Sequence, residues 1–113
     1  MKIITEILLS GELKQMAAAT FGNLVKAVAD VDREIIAVDA ELHSDLEALL
    51  LENGSKQESL WGINLYPEIQ GEDFVEFDSM INMRPSLGNR SCGVEDKELR
   101  KKIIEIVAKR IKR

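Results

Sequence analysis

Asp39, Glu41 and His43 stand at positions i, i+2 and i+4. On an extended strand alternate residues share a face, so two carboxylates and an imidazole would emerge side by side, with Asp45 close behind. That donor set suits manganese, iron or magnesium better than structural zinc. Same-face neighbours on a strand lie about 7 Å apart, so the three reach one ion only where the strand bends. The competing reading is an exposed acidic edge that discourages edge-to-edge pairing.

The segment Val75 to Arg84 carries a second constellation. Val75, Phe77, Ser79, Ile81 and Met83 alternate with Glu76, Asp78, Met80, Asn82 and Arg84. If this segment is a strand, four polar groups project from one side. Glu76 and Asp78 are then the acid or base candidates. Asn82 and Arg84, joined by Asn89, Arg90 and Ser91 from the following loop, are candidates for holding a small anionic ligand. The plainer alternative is a face that meets water. The loop Pro85 to Gly93 has two glycines and small hydroxyls, the composition of a backbone anion nest. However, Glu95, Asp96 and Glu98 already compensate the start of the next helix, and Arg84 or Arg90 can pair with Glu76 or Asp78.

Cys92 is the only cysteine, which excludes an intramolecular disulfide and a thiolate-rich zinc site. Arg90 is close in sequence and His43 is the only histidine available as a base, so a nucleophilic thiol rests on that one pair. An ordinary loop cysteine explains it as well. Trp61 alternates with Gly62 beside Ile63 and Leu65, which reads as core or a half-buried strand edge, with Gly62 allowing a close approach or marking a bulge.

These groups need elements to position them. Residues 3 to 9 read as a strand, with Ser10 able to cap a helix whose stripe is Leu13, Met16, Ala17, Thr20 and Phe21, ended by Gly22. Leu24 to Val31 and Ile35 to Val38 form a hairpin of strands apolar enough to lie mid-sheet. Ser44-Asp45-Leu46-Glu47 has capping-box spacing before a helix closed by Asn53-Gly54. Strands follow at Leu60 to Tyr66 and Phe74 to Arg84. Asp96 caps a last helix with the stripe Leu99, Ile103, Ile106, Val107 and Ile111. The order β-α-β-β-α-β-β-α predicts an α+β fold: a two-layer domain with a mostly antiparallel sheet of about five strands and three helices. At 113 residues, residues 1–113 are expected to form one domain.

The run Leu51 to Tyr66 (LENGSKQESLWGINLY), the run Glu76 to Pro85 (EFDSMINMRP) and Gly88-Asn89-Arg90-Ser91 resemble a family of short prokaryotic proteins catalogued as a domain of unknown function. The likeness covers essentially the whole chain. It implies a small stand-alone protein and assigns no catalytic residue.

Apolar residues make up 45% of the chain and charged ones 31%, too apolar for disorder and too charged for a membrane span. The start lacks a cleavable signal pattern, so a cytoplasmic protein is expected. Residues 1 to 96 hold 7 basic against 18 acidic side chains, and residues 97 to 113 hold 8 against 2. An acidic body repels phosphates, so nucleic-acid binding through the basic last helix ranks third. That helix instead has cations near its C-terminus, where they complement the dipole and can face the acidic body. A protein-interaction or self-assembling module, expected to be a homodimer by virtue of its strand edges, ranks first. An enzyme or anion-binding protein built on residues 76–84 and 85–93 ranks second. The cofactor, if any, is left unknown by the sequence.

Overall fold

The computed structural model describes residues 1–113. Its main sheet joins β1 (Lys2–Ile4), β3 (Val25–Asp30), β4 (Ile35–Val38), β5 (Leu60–Leu65) and β6 (Val75–Glu76) in the order β1-β4-β3-β5-β6, every pair antiparallel. A second sheet is a short parallel pair, β2 (Leu8–Leu9) with β7 (Ile111–Lys112). The helices are α1 (Ser10–Ala19), α2 (His43–Glu52) and α3 (Lys97–Arg110), and none is long and apolar enough to cross a membrane. The α+β class and the antiparallel five-strand sheet agree with expectation.

The layering differs. One face of the sheet, with Ala27, Ala29, Ile36, Val38, Ile63 and Leu65, packs against Leu13 and Ala17 of α1 and Ile103, Ile106 and Val107 of α3. The other face, with Val28, Ile35, Ala37 and Leu60, packs against Leu46 and Leu50 of α2. Helices therefore cover both faces, where two layers were expected. The near-continuous apolar runs of β3 and β4 are the signature of strands buried on both sides.

The β3–β4 turn contains no glycine because Asp30 builds it. This fully buried carboxylate accepts from the backbone N–H groups of Asp32 and Arg33 at 3.0 Å each and from the Ser55 hydroxyl at 2.6 Å. Glu34 then takes a left-handed φ of 57°. Its carboxylate receives Lys102 at 3.0 Å and Lys109 at 3.1 Å, and Arg110 donates to its carbonyl at 2.8 Å. The basic end of the chain thus clamps the acidic hairpin tip.

Three local expectations are corrected. Asp96 does cap α3, accepting from Glu98 at 2.9 Å, but Ser10 and Ser44 lie inside their helices, and Leu9 and Leu42 occupy the N-cap positions without side-chain caps. The first strand is broken between Ile4 and Leu8. The strand expected over residues 74–84 is formed only at Val75–Glu76; a 3-10 turn follows at Met80–Asn82 and another at Pro85–Leu87.

Candidate functional site

α2 covers only half of its sheet face. On the other half Asn64 of β5 sits in register with Lys26 of β3 on one side and Glu76 of β6 on the other, a polar row across three strands. Above Lys26 and Asn64 lies a pocket of about 360 Å³, at the small end of the roughly 300–1,000 Å³ typical of ligand sites. One wall is the start of α2, with Leu42, His43 and Ser44. Asp78 to Ile81 and Cys92 complete the lining.

Asn64 is only 7% exposed. Its Nδ2 donates to Glu76 Oε1 at 2.9 Å and to the Asp78 carbonyl at 3.3 Å. Both partners can only accept, which fixes the orientation of the amide. Its Oδ1 is buried with no hydrogen-bond partner in the protein, a condition that native structures rarely leave unanswered. Two charges line the same pocket, Lys26 and Asp78, and neither takes part in any of the molecule's ion pairs. Lys26 Nζ lies 5.2 Å over the Phe21 ring. At the mouth of α2 the N–H groups of His43 and Ser44 have no capping side chain and no other protein partner.

His43 is buried, and its Nε2 lies 2.8 Å from the Ile63 carbonyl. A carbonyl only accepts, so Nε2 carries the hydrogen and the neutral ring keeps its lone pair on Nδ1. Burial holds its pKa below the ordinary 6.5; Lys26 pushes the same way, against the Ile63 bond, Asp78 and Asn64. A depressed imidazole pKa means that the unfolded chain binds the proton more readily, so stability is complete above pH 6.5 and declines as pH falls toward the folded-state value. Denaturant titrations between pH 7.5 and 5 should show this decline, with a slope of at most about 1.4 kcal/mol per pH unit. His43→Gln should flatten it. The carboxylates with lowered pKa values, Glu34 and Glu95, act only below their ordinary 4.5.

The residues singled out from sequence are dispersed, because the strand they needed stops at Glu76. Glu76 accepts from Asn64 and, at 2.9 Å, from the Tyr66 hydroxyl. Asp78 alone of that group lines the pocket. Asn82 is fully buried and lies along β5 as a neighbouring strand would: Gly62 N–H donates to its Oδ1 at 2.8 Å, and its Nδ2 donates to the Gly62 carbonyl at 2.9 Å. Arg84 pairs with Glu47 of α2 at 3.2 Å and stacks 5.1 Å over Trp61. Asn89 Nδ2 reaches the carbonyls of Asn82, Ser91 and Gly93, and its Oδ1 accepts from Glu95 N–H. The backbone N–H groups of Arg90 and Ser91 are taken by the Glu95 carboxylate. The expected anion nest is thus filled by the protein's own acid.

Asp39, Glu41 and His43 do not share a strand face, since β4 ends at Val38, Asp39 turns with φ 75° and His43 begins α2. No group of three metal-capable side chains is assembled. Cys92 and His43 line the same pocket, yet no hydrogen bond joins them; Cys92 takes part through its carbonyl, which accepts from Ser79 and Asn82. The polar pocket residues that were not site candidates in the sequence are Lys26, Ser44, Asn64 and Ser79. Lys26 and Asn64 did leave a trace, as polar interruptions of otherwise apolar strands.

Comparison with curated proteins and with solved structures finds no match. A family model matches residues 2–110, nearly the whole chain. The chain belongs to the family described as protein of unknown function DUF5674.

Proposed function

We propose that this is an intracellular small-molecule-binding protein whose ligand occupies the pocket between α2 and residues 78–81. The observation that carries this reading is the Asn64 Oδ1, buried and without a partner, beside free N–H groups at the α2 start. Unanswered donors and acceptors converging on one concavity are what a ligand satisfies. Leu42 and Met80, 55% and 77% exposed, give its mouth an apolar rim.

The other readings draw less support. Assembly through sheet edges has little to work with, since β1 offers three residues and β6 two, and Asn82 occupies the rest of the β5 edge. Nucleic-acid binding would draw on a basic segment half of whose cations are already engaged: Lys102, Lys109 and Arg110 hold Glu34, while Arg113 donates to the Ile69 carbonyl and lies 4.0 Å over Phe74.

A thermal-shift screen of organic acids, amines, amino acids, sugars and nucleotides tests the reading. A ligand at 100 times its Kd adds about 2.7 kcal/mol to the folded state, enough to raise Tm by several degrees. At least one compound should do so for the wild type and fail with Ser44→Tyr, which fills the pocket from an exposed helix position. If every compound shifts the two proteins equally, or none shifts the wild type, the reading is wrong.

A further inference from the structure

We propose that the pocket's ligand is a small α-amino-acid-like zwitterion, an inference that rests on the pocket reading and adds the ligand class. A pocket for a plain anion would carry positive charge alone, and one for an amine negative charge alone. This one carries one of each, Lys26 and Asp78, and neither is in an ion pair. His43, in the same lining, feels both: Lys26 lowers its pKa and Asp78 raises it.

The uncharged groups are likewise of two kinds. The α2 start offers the N–H groups of His43 and Ser44, donors aligned with the positive end of the helix dipole and suited to a carboxylate. Asp45, in the same turn, is exposed and does not line the pocket. Asn64, beside Lys26 in the sheet, carries the unpartnered Oδ1, an acceptor of the kind an ammonium group needs. Asn64 Nδ2 ties this amide to the Asp78 backbone at 3.3 Å, which keeps the two acceptors together. A carboxylate and an ammonium one carbon apart match this pairing, and Leu42, Met80 and Ile81 leave an apolar margin for a side chain. A cavity of about 360 Å³ admits a molecule of that size.

Isothermal titration of the full-length chain at pH 7.5 decides it. The probes are the neutral L-amino acids, each beside the carboxylic acid that lacks its amine and the amine that lacks its carboxylate. At least one amino acid should bind tenfold or more tightly than either of its halves. Asp78→Asn should weaken that amino acid and its amine about tenfold and leave the acid unchanged; Lys26→Gln should weaken the amino acid and the acid and spare the amine. A preference below tenfold, or no binding by any amino acid, overturns the zwitterion assignment. The pocket reading survives that result if a compound of another class binds the wild type and is lost in Ser44→Tyr, and falls with it otherwise.

Discussion

Asn82→Ala should cost roughly 3–5 kcal/mol of unfolding free energy, read from the urea midpoint at constant m-value. Asn82 is fully buried, and its amide serves both backbone groups of Gly62 as the next strand of the sheet would. Truncation leaves a buried N–H and a buried C=O unmet, and each such group costs roughly 1–3 kcal/mol. The Cys92 carbonyl suffers less, because Ser79 N–H still donates to it at 2.9 Å. Asn82→Asp distinguishes lost hydrogen bonding from lost volume. It keeps the acceptor for Gly62 N–H but sets a carboxylate against the Gly62 and Cys92 carbonyls. It should therefore be at least as damaging at pH 7 and partly recover in acid, where a protonated carboxyl can donate. Gln70→Ala, at an exposed loop position, should stay within about 0.5 kcal/mol. An Asn82→Ala protein of wild-type stability would show that water replaces the amide without loss, and that the covering segment does not depend on it.

The elements set by local chemistry were legible in the sequence. The α3 stripe, the Asp96 cap and the hairpin of apolar strands follow from periodicity and capping. The segment 76–84 was misread because alternation is necessary for a strand but does not require one. Its apolar members do enter buried or half-buried positions, as Val75, Phe77, Ser79 and Ile81 do. What ends the strand is non-local: the Asn82 side chain takes the place on β5 that continued backbone pairing would have used. Asn89 likewise organises its loop through carbonyls at 82, 91 and 93, bonds that no spacing rule anticipates. The pocket was hidden for a similar reason. Lys26 and Asn64 become neighbours only through the β3–β5 register, and the start of α2 meets them only through tertiary packing.

Gly62→Ala should cost roughly 2–3 kcal/mol, about as much as overfilling a tight core. The backbone of Gly62 needs no special freedom, since its φ lies outside the left-handed region and it sits in the middle of β5. In a strand alanine is at least as favourable as glycine, so any loss is steric. An added Cβ would lie 2.5 Å from both Cβ and Oγ of Ser79 and 3.2 Å from His43 Cδ2. Ser79 cannot retreat freely, because its N–H is held by the Cys92 carbonyl and its hydroxyl accepts from Ile81 N–H. Ser79→Gly supplies the diagnostic: removing the obstructing atoms should make the double variant more stable than the sum of the single losses, a coupling of the kind seen between residues in contact. Strictly additive losses would place the cost of Gly62→Ala elsewhere. Because Ser79 and His43 both line the pocket, any displacement that accommodates the new methyl group must also move the wall against which a ligand would rest.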